Sequence, residues 1–186
     1  MKIVALTGSR NPKGQTARAV DAFLEGASGK GRKGEHCLLA TMRIERCRQC
    51  ENNGWGLCRS EGRCVIEDDF AALVEKIRLA DAVVFATPVY FGDLSESLRA
   101  FTDRLRRITR NDAGKTGITG KPAVGICVAG GGGGGAPSCT VSLEKVLATC
   151  GFDVVDVIPV RRQNLDMKLE VLQTEGRWFA EYRPEK

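Results

Sequence analysis

Four cysteines lie within eighteen residues of the chain: Cys47, Cys50, Cys58 and Cys64. Their spacing, Cys-x2-Cys-x7-Cys-x5-Cys, lets four thiolates reach one metal ion or one iron–sulfur cluster without help from a distant residue. A disulfide framework is the alternative, but such frameworks belong to short secreted chains with small cores. This chain has 186 residues, of which 42% are hydrophobic. The spacing therefore predicts metal ligation.

The composition limits the class of protein. The length and apolar content fit one domain, 1–186, with a full core and a cysteine-rich insertion at 47–64. The apolar start is too short for a secretory signal and no stretch is long enough to span a membrane, so we expect a cytoplasmic protein. The net charge of +5 is modest, and arginines such as Arg104 are expected on solvated faces. No motif for nucleic acid is present, and a small anionic cofactor is expected instead.

Short apolar runs alternate with amphipathic segments along the chain. The runs predict strands at 2–7, 36–40, 82–87, 122–129 and 152–158, and the segments predict helices at 15–27, 68–80, 95–108 and 138–149. The end, 176–186, is expected to be a loosely held tail. This order predicts an α/β fold, a flavodoxin-like five-stranded parallel sheet with helices on both faces. In such sheets ligands bind beyond the carboxyl ends of the strands, so the loops there are the candidate site.

The first of these loops, Gly8 to Thr16, leads from a predicted strand into a predicted helix. Ser9, Gln15 and Thr16 can donate hydrogen bonds to an anion, and the helix start adds backbone N–H groups and the positive end of its dipole. Neither the dinucleotide fingerprint nor the lysine-bearing P-loop spacing is present, so a monophosphate fits better than a longer phosphate. The plain alternative is a capped turn.

Two further loops suit a flat ring. The segment from Thr87 to Gly92, TPVYFG, combines a stiff proline with a permissive glycine. Its Tyr90 and Phe91 can flank an aromatic ring such as a flavin, or alternatively anchor the loop to the core. The run from Gly130 to Gly135 interrupts a predicted strand and helix, which lets the backbone approach a cofactor closely.

Together these motifs resemble those of flavodoxin-like NADPH-dependent FMN reductases and, within that family, the iron–sulfur flavoproteins. The resemblance rests on GSRNPKGQT, CRQC with CRSEGRCVIEDDF, ATPVYFGDLSESLRAFTDR and the glycine run, all within 1–150. It implies an FMN with its phosphate on the first loop and its ring on the second, and a [4Fe–4S] cluster on the four cysteines near the flavin at a subunit interface. The implied FMN residues are Ser9, Arg10, Gly14, Gln15, Thr16, Thr87, Pro88, Val89, Tyr90, Phe91, Gly92, Gly130, Gly131 and Gly132.

The sequence departs from the family pattern at two places. The compact iron–sulfur pattern leaves two residues between its second and third cysteines, which would place the third cysteine at Asn53. Cys58 would take that role from a longer loop. Gln15 stands where the family commonly has asparagine, and both side chains offer an amide donor.

The resemblance implies an FMN-dependent oxidoreductase. Electrons would pass between a reduced donor, NAD(P)H or a ferredoxin-like protein, the bound cluster and a small acceptor such as a quinone, in a homodimer or homotetramer. Two alternatives remain open. One is a two-cofactor electron carrier without a substrate of its own, and the other is a flavodoxin-like binding protein whose cysteines hold structural zinc.

The remaining thiols and the single histidine are expected to be structural. Small buried hydrophobic roles are expected for Cys37, Cys127, Cys139 and Cys150. His36 lies in an apolar, strand-like stretch. No catalytic acid or base is assigned, because a flavin supplies the reactive atom itself.

Overall fold

The computed structural model describes residues 1–28, 34–51 and 53–183. Its strands are β1 Ile3–Thr7, β2 Glu35–Leu38, β3 Ala82–Pro88, β4 Pro122–Ala129 and β5 Asp153–Arg161. They form one five-stranded parallel sheet in the order β2-β1-β3-β4-β5. The predicted flavodoxin-like fold is confirmed. The strand order reverses between β1 and β3, so the loops after these strands border the crevice where such folds bind ligands.

Helices cover both faces of the sheet. In the described part of the chain they are α1 Gln15–Ala27, α2 Leu57–Ser60, α3 Phe70–Leu79, α4 Glu96–Ile108, α5 Asp112–Lys115, α6 Ala136–Cys150 and α7 Leu165–Glu181. One core lies between the sheet and α3, α4 and α6, and a second lies between the sheet and α1 and α7. Alternate residues of each strand face the two cores: Phe85 of β3 faces the first and Val84 the second. None of the helices among these described residues is both long and apolar enough to cross a membrane.

The prediction of a loose tail at 176–186 was wrong as far as Glu181, because α7 continues to that residue. Residues 184–186 lie outside the described residues. The helix buries only Gly176 and a narrow stripe formed by Leu165, Leu172 and Phe179, and its remaining surface is polar enough to resemble a tail. The seven-residue spacing of that stripe is the sequence signal that could have revealed the helix.

Helices α1 and α7 approach each other closely where each carries a glycine. A Cβ atom built on Gly176 would lie 2.0 Å from the carbonyl oxygen of Phe23, and one built on Gly26 would lie 1.9 Å from the carbonyl oxygen of Gln173. The rings of Phe23 and Phe179 pack edge to face beside this crossing, with centroids 5.7 Å apart. Any side chain at either glycine would therefore push the two helices apart.

Gly176→Ala is expected to lower the free energy of unfolding by about 3 kcal/mol, the upper range for overpacking. Alanine alone would stabilise a helix interior by about 1 kcal/mol, so the clash decides the sign. Denaturant unfolding measures the change. Thr174→Ala, at an exposed position of the same helix, serves as the control and should stay within about 0.5 kcal/mol of the parent. A more stable Gly176→Ala variant would contradict the close crossing.

Candidate functional site

The loops after β1, β3 and β4 meet at the carboxyl edge of the sheet and line one open cleft. Its volume is about 440 Å³, which is within the usual range for small-molecule sites. Of the residues singled out from the sequence, the cleft is lined by Ser9, Gly14, Gln15, Thr16, Pro88, Val89, Tyr90, Gly130 and Gly131. The lining also includes Asn11 and Gly134, which lie within the predicted loops, and Val128 and Ala129, which end the predicted strand; none of the four was named as an FMN residue.

The β1 loop is closed by its own hydrogen bonds and leaves the start of α1 free. The Asn11 N–H donates to Ser9 Oγ at 3.2 Å, and the Lys13 N–H donates to Asn11 Oδ1 at 3.0 Å. Gly14 precedes α1, no side chain caps the helix, and its first turn carries no acidic residue. The first-turn N–H groups have no acceptor within the helix, so they and the helix dipole favour an anion at this point.

Gln15 supplies a buried polar atom. Its Oε1 makes no hydrogen bond to any described residue, a condition that costs about 1–3 kcal/mol. A half-turn of the amide would present its two N–H donors in place of the oxygen. Thr16 beside it is only 4% exposed. This wall of the cleft therefore has hydrogen-bonding capacity that the chain itself does not use.

The β3 loop is a tight turn that projects an aromatic side chain. Tyr90 and Asp93 exchange two backbone hydrogen bonds of 3.0 Å, and Phe91 between them has a φ of 52° and a fully exposed side chain. Arg99 Nη2 donates to both carboxylate oxygens of Asp93 at 2.7 Å. Burial acts to raise the pKa of Asp93, but the next backbone N–H and Arg99 outweigh it and hold that pKa below its usual value. The turn is therefore fixed by an ionised carboxylate, and Phe91 does not anchor it to the core.

The structure places five of the predicted FMN residues outside the lining of the cleft. These are Arg10, Thr87, Phe91, Gly92 and Gly132. Thr87 is fully buried; its hydroxyl accepts from the Ser95 N–H at 2.9 Å and donates to the Pro88 carbonyl at 2.8 Å. It thus holds the β3 loop against the start of α4. Arg10 lines a neighbouring cleft of about 200 Å³ that also includes Tyr90.

The glycine run brings its backbone against the β3 loop. Gly135 has a φ of 79°, and a Cβ atom there would lie 2.8 Å from the Cα of Gly92. Gln163 Nε2 donates to the Gly132 carbonyl at 2.9 Å. The run is therefore a defined wall of the cleft, since its last residue approaches the Gly92 backbone closely and its middle accepts a side-chain hydrogen bond.

The four clustered cysteines line a second, small cavity. All four are free, partly exposed thiols, and Arg104, Arg107 and Ile108 of α4 contribute to the same lining. Across 1–28, 34–51 and 53–183, no three ligand-type side chains converge tightly enough to hold a single metal ion. The structure thus brings the predicted ligands to one cavity without the close convergence that one zinc ion needs at a Zn–S distance of about 2.3 Å.

The cysteine segment is fixed at the end of α2 by a side chain from another part of the fold, and its backbone is strained around the second cysteine. Asn111 Nδ2 donates to the carbonyl oxygens of Arg59 and Ser60, each at 3.0 Å, at the end of α2. Gln49 and Glu51, on either side of the second cysteine, have φ values of 51° and 58°. That conformation costs roughly 1–2 kcal/mol per residue and persists only where the surroundings impose it. Such strain is typical of functional sites.

Arg104 is buried, so its predicted place on a solvated face was wrong. Its side chain is 1% exposed and pairs with the fully buried carboxylate of Asp68. Nη1 lies 2.6 Å from Oδ2 and Nη2 lies 2.9 Å from Oδ1. The two nitrogens also donate to the carbonyls of Glu45 at 3.1 Å and Ile66 at 3.4 Å. The guanidinium lies 4.2 Å from the centre of the Phe70 ring.

The sequence contained a signal for this burial. Position 104 lies one turn from Phe101 and one turn from Ile108, and both of these are buried. Arg104 therefore lies on the apolar face of α4. A count of the charged residues does not reveal this position.

The other cysteines and the histidine have structural surroundings. Burial is observed, as predicted, for Cys37, Cys127, Cys139 and Cys150. His36 Nε2 lies 2.8 Å from Thr7 Oγ1, and its Nδ1 lies 3.1 Å from Asp21 Oδ1. The ring links β2, β1 and α1 on the outside of the sheet edge.

Helix α4 extends from the smaller, neighbouring cleft beside Tyr90 to the cysteine cavity. Ser97 near its start lines the cleft that adjoins Tyr90, and its hydroxyl donates to the Gly8 carbonyl at 2.9 Å. Arg104, seven residues further along, lines the cysteine cavity. At 1.5 Å per residue, the two positions are about 10 Å apart along the helix axis.

Comparison with known proteins gives one family and several relatives. The family model described as NADPH-dependent FMN reductase matches residues 1–162. An iron-sulfur flavoprotein of Methanocaldococcus jannaschii is 31% identical over 131 residues, covering 70% of this chain and 65% of that protein. An iron-sulfur flavoprotein of Methanosarcina thermophila is 28% identical over 155 residues, covering 83% of this chain and 77% of that protein. The chain thus spans just under two thirds of the first of these relatives.

A solved structure agrees with the fold. The NAD(P)H:quinone oxidoreductase from Methanothermobacter marburgensis superposes with a TM-score of 0.70 at 23% identity, covering 100% of this chain and 99% of that one. At this identity the likeness shows the fold alone.

Proposed function

Because the chain belongs to the NADPH-dependent FMN reductase family, we propose that it is an FMN-dependent oxidoreductase that accepts electrons from a reduced nicotinamide. The observation that carries this proposal is the cleft at the carboxyl edge of the sheet. It combines an uncapped helix start, a buried and unpartnered Gln15 oxygen and an aromatic turn.

The residues of the cleft fit FMN part by part. The first turn of α1, with Gln15 and Thr16, would bind the phosphate. Pro88, Val89 and Tyr90 would line the ring opposite the glycine run. When bound, FMN supplies hydride and single-electron chemistry. The chain's own groups bind and orient it, and the Asp93–Arg99 pair keeps the ring-binding turn in one conformation.

We further propose that the cysteine cavity holds a [4Fe–4S] cluster. Two curated relatives carry the name iron-sulfur flavoprotein. A cubane takes one thiolate on each of its four irons, and the four cysteines that line this cavity supply that number of ligands. Nearby arginines favour thiolates over thiols. Zinc is the alternative occupant, and metal analysis separates the two.

The electron donor would be NAD(P)H or a ferredoxin-like protein, and the acceptor a small molecule such as a quinone. The second candidate is a two-cofactor carrier without a substrate of its own, and rapid NADPH oxidation by the FMN-loaded protein would distinguish the enzyme from it. We propose a homodimer or homotetramer because Met167, Val171 and Trp178 of α7 are exposed and line one open groove.

Thr16→Val is expected to weaken FMN binding about tenfold to a hundredfold. It removes one hydroxyl donor to a charged phosphate, and such bonds are worth about 1.5–3 kcal/mol. Titration of flavin fluorescence with apoprotein measures the change. Thr149→Val, at an exposed position of α6, makes the same substitution away from the cleft and should bind FMN as the parent does. Equal affinity in both variants would contradict the phosphate site.

A further inference from the structure

Two arginines of α4 line the cysteine cavity, and each has one N–H group that the chain leaves unused. The Nε atoms of Arg104 and Arg107 are both buried, and neither has a hydrogen-bond partner among the residues that the structure describes. The remaining nitrogens of Arg104 are already occupied by Asp68 and by two carbonyl groups. A buried donor without an acceptor is unfavourable, so both Nε–H groups call for an acceptor inside or beside the cavity.

Arg104 also lies beside the proposed ligands. Its side chain and Cys64 line the same cavity. Asp68, the counterion of Arg104, does not line the cysteine cavity, whereas the arginine does. The positive member of the pair therefore faces the four cysteines, and the negative member lies behind it.

Arg107 binds the loop between the second and third cysteines. Its Nη1 donates to the Gly54 carbonyl at 2.6 Å, and its guanidinium lies 4.8 Å from the centre of the Trp55 ring. These contacts fix the arginine beside the cavity without using Nε. The two arginines thus present a similar free donor from one rigid helix.

We propose that Arg104 is a positioning residue that raises the reduction potential of the cysteine-bound cluster, with Arg107 as a second donor of the same kind. This inference rests on the proposed cluster. Reduction adds one electron to an already anionic group, and fixed cations and N–H···S hydrogen bonds stabilise the added charge. The effect is strong at Arg104 because its side chain is 1% exposed, and screening by water is weak there.

Arg104→Lys is expected to lower the potential while keeping the positive charge. Lysine carries its charge on one nitrogen at the end of a flexible side chain. It cannot bind Asp68 through two nitrogens and also direct a third N–H group toward the cluster, as the planar guanidinium can. We expect the ratio of reduced to oxidised cluster at a fixed potential to fall about tenfold, which corresponds to about 59 mV for a one-electron couple.

An anaerobic redox titration of the whole protein, followed by the electron paramagnetic resonance of the reduced cluster, measures this shift. Arg106→Lys is the matched control, because Arg106 lies on the same helix, pairs with Asp103 at 3.1 Å and does not line the cavity. Its potential should equal that of the parent. If Arg104→Lys does not fold, Arg107→Lys replaces it and should shift the potential in the same direction.

Two results overturn the inference in distinguishable ways. If the parent holds iron and sulfide but the arginine variant keeps the parent potential, the tuning role is wrong and the proposed cluster stands. If the parent holds no acid-labile sulfide, the proposed cluster fails and the inference fails with it.

Discussion

Cys58→Ala is expected to abolish iron and acid-labile sulfide while leaving FMN binding unchanged. The parent, purified without oxygen, should hold roughly four iron and four sulfide per chain, as a cubane on four cysteines requires. Removing one of four thiolates leaves an iron without its protein ligand. The FMN cleft is formed by other loops and should be unaffected. Iron, sulfide and flavin analyses of the same sample measure all three.

Two control variants make this result specific to the cavity. Cys37→Ala removes a buried thiol outside the cavity and should retain the cluster. Asn53→Ala changes the position where the compact family pattern would place the third cysteine and should also retain it. Full iron and sulfide in Cys58→Ala would exclude Cys58 as a ligand. Stoichiometric zinc without sulfide in the parent would establish the structural metal site instead.

Asp68→Ala is expected to lower the free energy of unfolding by about 3–5 kcal/mol at neutral pH. Asp68 and Arg104 are both buried, and removing one member leaves the other as an uncompensated buried charge. Urea denaturation measures the loss. Asp103→Ala is the control. It breaks the Asp103–Arg106 pair on α4, whose side chains are more than a third exposed, and should lower the free energy of unfolding by less than about 1 kcal/mol. Equal losses in the two variants would contradict the special role of the buried pair.

The same pair makes stability depend on pH. Burial acts to raise the pKa of Asp68, but hydrogen bonds from Arg104 and from the backbone N–H groups of Glu45 and Phe70 hold that pKa below its ordinary value. A carboxyl with a lowered folded pKa stabilises the fold above its unfolded pKa of about 3.9, and this stabilisation is lost as the pH falls through the folded pKa. The difference in stability between the parent and Asp68→Asn should therefore be largest near neutral pH and narrow in acid. A constant difference down to pH 2 would contradict this.

The sheet and its ligand edge were predictable because their signals are local. Each strand is a short apolar run, and the helix that connects it to the next strand follows it closely in the sequence. Because the strands are parallel, their carboxyl ends all lie at the same edge of the sheet. The loop from Gly8 to Thr16 and the glycine run were therefore placed correctly relative to each other without any contact information.

The features that were missed depend on long-range packing. α7 is stabilised by its contact with α1 at Gly26 and Gly176, and its own sequence is mostly polar. The burial of Arg104 depends on Asp68, a partner 36 residues away. Charge counts treat an arginine as solvated, whereas a bidentate carboxylate allows its burial. The position of the cysteine cavity on α4 could not be read from the cysteine spacing alone.

The central claim is that one chain binds FMN in the cleft at the carboxyl edge of the sheet and a cluster in the cysteine cavity, and that it passes electrons between them. An anaerobic titration with NADPH, monitored by flavin absorbance and by the paramagnetic signal of the cluster, tests it most directly. We predict that the flavin absorbance is lost and the cluster signal appears in the parent, and that Cys58→Ala loses only the second response. Reduction of flavin in a parent that contains no iron or sulfide would contradict the claim and confine the redox chemistry to the flavin.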